Sequence, residues 1–175
     1  MAEFERLGFI GVGTMGGRMC RNLAAKTQRP VIAYDTSAER LSALSDAGVT
    51  AASDAASVIA ESDIVFMCLP GEAQVEEVGF GPGGLVETAR AGQVVVDMTT
   101  ATVSVARKLA SALAEKGVDF ADAPVAKGVP SAADGTLSIM VGASESLFAR
   151  IEPLLGTMGT EISLCGGVGT GQVLK

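Results

Sequence analysis

Six consecutive residues, Gly11-Val12-Gly13-Thr14-Met15-Gly16, and Asp35, about 20 positions beyond them, have the types and spacing that hold a dinucleotide. Gly11 permits a tight turn, Gly13 lets the backbone approach a pyrophosphate, and Gly16 lets a helix pack closely on a strand. The helix after the turn would offer unpaired N–H groups and partial positive charge to phosphates. A carboxylate at Asp35 accepts hydrogen bonds from the adenosine ribose and repels an added phosphate, so NAD is favoured over NADP. Arg40 could reach across from the next helix. The remaining chemistry is narrow, because the chain has no histidine. Imidazole-based zinc sites, Ser-His-Asp triads and histidine acid–base catalysis are therefore excluded within it. Proton transfer falls to Lys, Asp, Glu, water or the single Tyr34, which stands beside Asp35 at the adenosine end. The lysines are Lys26, Lys108, Lys116, Lys127 and Lys175.

These residues need a scaffold, and the apolar patterning supplies one. Leu7 to Ile10 and Val31 to Tyr34 read as the first two strands, with Met15, Met19 and Leu23 recurring every four residues on the helix between them. Thr36-Ser37-Ala38-Glu39 resembles a capping box opening a helix to about Ala47, and Asp54 precedes another short helix. Residues 63–69, 93–98, 118–123, 137–141 and 161–164 read as strands. Helices are expected over 104–116, with Val105, Leu109 and Leu113 on one face, and over 145–155. Residues 79–84 read as a glycine loop making a plain connection, and 124–130 as a loop after a strand. Strands alternating with helices predict an α/β fold: a doubly wound, mostly parallel sheet of Rossmann type, forming one domain over residues 1–175. Ligands in such sheets lie beyond the carboxyl ends of the strands. The loops there carry Leu69-Pro70, Thr99-Thr100, Pro124-Val125-Ala126-Lys127-Gly128, and the glycine cluster running from Gly166 to Lys175.

At 175 residues and 48% hydrophobic, the chain can bury a full core. Its net charge of −7 argues against nucleic acid and acidic membranes as partners. No stretch reaches membrane-spanning length and the first residues do not read as a signal peptide. Cys20, Cys68 and Cys165 are widely spaced in apolar segments, which is neither a disulfide framework nor a zinc pattern. Reduced core cysteines in a cytoplasmic protein, without a metal, are the expectation.

Four motifs in order, covering essentially the whole chain, resemble the cofactor domain of the 3-hydroxyacid dehydrogenases, the family of 3-hydroxyisobutyrate dehydrogenase and tartronate semialdehyde reductase. They are Gly8-Phe9-Ile10-Gly11-Val12-Gly13-Thr14-Met15-Gly16 with Met19 and Asn22, then Asp97-Met98-Thr99-Thr100, then Asp122-Ala123-Pro124-Val125 with Gly135-Thr136-Leu137, and the glycine-rich approach to Lys175. The resemblance implies that Gly11 to Gly16 and Asp35 wrap the dinucleotide, that Leu69, Pro70 and Gln74 flank it, and that Thr100 lies at its nicotinamide-ribose end. It implies Lys175 as the general base and acid toward a small anionic hydroxyacid or semialdehyde, with Val125, Ala126, Lys127 and Gly128 on the substrate side. This lysine chemistry separates the chain from the imine reductases, which look similar but generally lack the lysine. A non-catalytic nucleotide-binding or redox-sensing module remains the alternative.

The chain departs from the family's pattern in three places. Ala126-Lys127-Gly128 stands where the family has Ser-Gly-Gly, so a hydroxyl is lost and a charge gained. Lys127 either binds an anionic tail of the substrate or is a solvated loop residue. Thr99 and Val103 replace the family's serine and proline; a hydroxyl survives at position 99. Lastly, family members continue past the lysine into a helical domain that covers the active site and forms the dimer or tetramer. The resemblance thus implies a cofactor domain that binds nucleotide and turns over little alone.

Overall fold

The computed structural model describes residues 4–175. Strand β1 (Leu7–Ile10) leads into α1 (Gly16–Thr27), then β2 (Val31–Tyr34) and the short α2 (Ala38–Ser42). β3 (Val49–Ala51), α3 (Ala55–Glu61), β4 (Ile64–Met67), α4 (Glu72–Phe80) and α5 (Leu85–Thr88) follow. Next come β5 (Val94–Asp97), α6 (Val103–Ala114), β6 (Asp119–Asp122), β7 (Val125–Ala126) and α7 (Gly128–Asp134). The last elements are β8 (Leu137–Gly142), α8 (Glu145–Leu155), β9 (Gly159–Gly166) and α9 (Thr170–Leu174).

Six parallel strands run in the order β3-β2-β1-β4-β5-β6, which is the doubly wound Rossmann arrangement. Side chains alternate between the faces of this sheet. Leu7, Phe9, Ile64, Phe66, Val94 and Val96 enter one core with α1 and α8. Ile10, Val65, Met67 and Val95 enter the other with α3 and α6. Burial on both faces explains why the central strands read as unbroken apolar runs. Phe9 and Phe66, both fully buried, stack with centroids 6.1 Å apart.

β8 turns the sheet's far end antiparallel. It pairs with β6 at Asp122↔Gly142 and with β7 at Val125↔Ile139 in one continuous register, while β9 lies parallel on its other side. Between β6 and β7 the ladder is held through Pro124, whose carbonyl accepts the Met140 N–H at 3.1 Å. Pro124 has no N–H to return to Met140, so the second bond of this antiparallel pair is missing and β6 and β7 are separate strands along β8.

Several expected boundaries shift. The helix after Thr36 is short; its cap is Ser37, which accepts the Arg40 N–H at 3.4 Å, and a 3-10 turn (Ser45–Ala47) completes the segment. Residues 79–84 are not all loop. Gly79 lies inside α4, where a Cβ would sit 3.0 Å from Leu109 Cδ1, so this glycine serves helix packing. Residues 124–130 carry β7 and the opening of α7; Pro130 falls in the first turn, where a missing N–H costs no helical bond. Among the described residues no helix is long and apolar enough to cross a membrane.

Candidate functional site

Chain direction diverges at the carboxyl ends of β1 and β4, since β1 crosses over to β2 on one side and β3 crosses back to β4 on the other. The opening is a cleft of about 900 Å³, at the large end of the range for small-molecule and cofactor sites. Gly11, Gly13, Thr14, Met15, Gly16 and Asp35 line it, and so do Leu69, Pro70 and Gln74 from across the switch point.

The three glycines have separable tasks. Gly11 has φ +89 and a Cβ there would strike the Cys68 carbonyl, so only glycine lets the turn rest against β4. A Cβ on Gly16 would strike the Gly11 carbonyl, which fixes how closely α1 approaches the turn. A Cβ on Gly13 meets only Arg40 Nη1 at 3.6 Å and otherwise points into the cleft. The protein leaves that space open. Helix α1 begins beside it with no side-chain cap and no acidic residue in its first turn, an arrangement suited to an anion. This cradle fits a pyrophosphate, so the residues present fit a dinucleotide.

Asp35 also has bonds within the fold. Its Oδ2 accepts the Val12 N–H at 2.9 Å and its Oδ1 accepts the Ser37 N–H at 2.9 Å. Arg40 Nη1 stands 3.7 Å from Oδ1, and the aspartate side chain is 8% exposed while that of Arg40 is 56% exposed. One carboxylate therefore pins the glycine turn to the start of α2, with lone pairs left for a ligand. Val12 is buried and contributes that N–H rather than a wall. The cleft is completed by Asp54, Ala55 and Ala56 at the start of α3 and by Pro82, Gly83 and Gly84, which sequence reading treated as a mere connection. Their only signal was glycine density, which loops and binding walls share.

Thr100, Lys175 and the 125–128 segment lie outside this cleft. Thr100 is exposed just beyond β5, and Lys175 is exposed at the end of α9. Asp122 joins the last two regions. Fully buried at the end of β6, it accepts the Gly169 N–H on Oδ1 at 2.6 Å and the Gln172 N–H on Oδ2 at 2.9 Å. It thereby holds the first turn of the helix that leads to Lys175. Burial pushes its carboxyl above the usual range, and those N–H bonds oppose the shift. Gly142 and Gly171 are glycines because a Cβ on either would crowd this carboxylate.

Asp97, the register partner of Asp122 on β5, is also fully buried. Burial pushes it to about 6, against the hydrogen bonds from Thr99, with the Asp122 charge adding a further rise. Its Oδ1 accepts the Thr99 N–H at 2.9 Å, and its Oδ2 has no hydrogen-bond partner among the described residues. Cys20 and Cys68 are free thiols that burial drives to about 12, which suits inert packing residues.

Lys127 is exposed and takes φ +83, a conformation that favours glycine. Its Nζ pairs with Glu161 on β9 at 2.6 Å. That bond holds the Glu161 carboxyl below its usual range. Gly128, at φ +75, continues the left-handed turn into α7, while Val125 and Ala126 are half-buried in β7. Glu161 carried no signal in the sequence, because the pairing depends on three strands lying side by side.

Comparison with known proteins places this geometry. Residues 6–167 match the model of the NAD binding domain of 6-phosphogluconate dehydrogenase. The chain belongs to this family. As an NAD-binding domain it is also similar to 2-(hydroxymethyl)glutarate dehydrogenase of Eubacterium barkeri, 42% identical over all of this chain and 58% of that protein. It is 41% identical to 2-hydroxy-3-oxopropionate reductase of Escherichia coli K12, over 97% of this chain and 58% of the relative. Among solved structures, 3-hydroxyisobutyrate dehydrogenase of Mycobacterium tuberculosis with L-serine superposes with a TM-score of 0.91 at 32% identity, over 97% of this chain and 57% of that one. The domain thus spans a little over half the length of these relatives.

Proposed function

We propose that this chain is the cofactor domain of an oxidoreductase that moves hydride between NAD and a small 3-hydroxyacid, or reduces the corresponding semialdehyde. The observation that carries the reading is the space kept open at Gly13 beside the uncapped start of α1, within a cleft whose far wall is Leu69, Pro70 and Gln74. Gly11 to Gly16 hold the pyrophosphate and Asp35 the adenosine ribose, with Thr100 at the nicotinamide-ribose end. NAD is preferred to NADP because Asp35 sits next to the ribose position; Arg40 offsets part of that charge.

Bound NAD supplies the hydride acceptor. The Lys175 amine takes the substrate hydroxyl proton during oxidation and returns it during reduction, a task open to lysine in a chain without histidine. Val125, Ala126, Lys127 and Gly128 face the substrate. Lys127 is the cation for an anionic tail, which must compete with Glu161 for it. The relatives' greater length supports a longer enzyme.

Titration of the chain with NADH and NADPH, followed by cofactor emission, tests the cofactor reading; with no Trp in the chain, emission is read cleanly. NADH binding more tightly than NADPH is expected, and binding of neither overturns the proposal. In a protein of the relatives' length that contains this chain, Lys175→Ala should abolish turnover and leave NADH affinity within about threefold. Turnover that survives this change would favour the non-catalytic alternative for Lys175.

A further inference from the structure

Among the described residues the Thr100 side chain has no hydrogen-bond partner, yet its backbone is gripped on both sides by one residue. The carbonyl before it, on Thr99, accepts Gln172 Nε2–H at 2.7 Å. The N–H after it, on Ala101, donates to Gln172 Oε1 at 3.1 Å. Both ends of a primary amide are thus spent on the two peptide groups that flank Thr100. Gln172 is in turn fixed from below, because its own N–H donates to the buried Asp122.

The same turn is tied to the nucleotide cleft. The Thr99 hydroxyl accepts the Leu69 N–H at 3.0 Å, and the Thr99 N–H donates to Asp97. A connected series of bonds therefore runs from the cleft wall at Leu69, through Thr99 and the Gln172 amide, to α9 and Lys175. These bonds are part-buried, where an unmade partner is costly. The adenosine half, built from the glycine turn and Asp35, is bonded separately through Val12 and Ser37.

We propose that Gln172 is a positioning residue whose amide clips the 99–101 turn onto α9, so that Thr100 and Lys175 are held in a fixed relation beyond the Leu69 wall of the cleft, where the nicotinamide half of a dinucleotide would reach. This rests on the cofactor reading above. It predicts a selective defect: loss of the clip should weaken the hold on the nicotinamide half and spare the adenosine half.

NADH and ADP-ribose, titrated calorimetrically into the unaltered chain, Q172L and Q172E, test the clip. Q172L removes both bonds; Q172E keeps the acceptor for Ala101, loses the donor to Thr99, and carries the test if Q172L does not fold. Each variant is expected to weaken NADH about tenfold and to leave ADP-ribose within about twofold. The emission gain per bound NADH should also fall, a signature that a merely structural loss would not produce. Equal weakening of both ligands, or unchanged NADH binding, overturns the clip. Binding of ADP-ribose with no gain from the nicotinamide half in the unaltered chain overturns it as well. Failure of the unaltered chain to bind either ligand would instead overturn the cofactor reading on which it stands.

Discussion

The nucleotide cleft and the lysine end of this domain are built by different means. Around the cleft, the decisive contacts join residues close in sequence or on adjacent parallel strands: the glycine turn, the Ser37 N–H on Asp35, and the Val12 N–H on the same carboxylate. At the lysine end they join residues far apart, with Gln172 bonded to a carbonyl 73 positions away and Asp122 to an N–H 50 positions away. The first region is shaped by backbone conformation, which glycine sets locally. The second is shaped by buried polar side chains, whose value depends on the whole sheet being assembled. Lesions in the two regions should therefore have different signatures.

The largest contrast lies within the glycine turn. Gly16→Val should destabilise the fold by about 3 kcal/mol, because the side chain collides with backbone, and a urea melt will read this. Gly13→Ala should leave stability within about 0.5 kcal/mol and weaken NADH tenfold or more, to about that order, because its methyl enters only the cleft. Normal NADH binding by Gly13→Ala would break the assignment of that cleft to the phosphates.

At the lysine end, Asp122→Ala should cost about 2–4 kcal/mol, since it strands the N–H groups of Gly169 and Gln172 in a buried setting. The same melt checks it, and a loss no greater than that of a surface substitution would remove Asp122 as the anchor of α9.

Asp97 gives a smaller effect with a definite sign. The folded state holds its proton more tightly than the unfolded chain, since burial moves the carboxyl from 3.8 to about 6. Its favourable contribution is complete below the lower value and is lost as pH rises through the upper one. Wild-type stability should fall by roughly 3 kcal/mol more than that of Asp97→Asn across this window. Parallel pH profiles for the two proteins would show that Asp97 does not titrate there.

Arg40→Ala should have the smallest effect. It is expected to change NADH affinity by less than about threefold and to weaken NADPH more, as the exposed guanidinium is the cation beside Asp35. Equal effects on the two nucleotides would place Arg40 outside the ribose pocket.

The strands β1, β4 and β5 were legible because both of their faces are buried, which makes them continuous apolar runs, and β2 because its second face, Ile32 and Tyr34, is half-buried. Helix α8 was legible to its ends, Glu145 and Leu155, because Ser144 caps it and Leu147, Ile151 and Leu154 repeat along one face. Helix α4 left no such pattern, since it buries only Val75 and Gly79, and a packing glycine looks like a loop glycine. The pairing of Lys127 with Glu161 was illegible for another reason: it spans β7, β8 and β9, so only the register of Ala126, Ser138 and Glu161 brings the partners together.

The sequence by itself determined the doubly wound class and the place of the glycine turn, because glycine spacing, strand runs and a terminal carboxylate act through local geometry. Tertiary structure alone decided that Asp122 anchors α9, that Gln172 clips the turn around Thr100, and that Lys127 meets Glu161. Those contacts are worth making only where burial removes water from both partners, and a linear pattern does not record which distant groups will share a dry site.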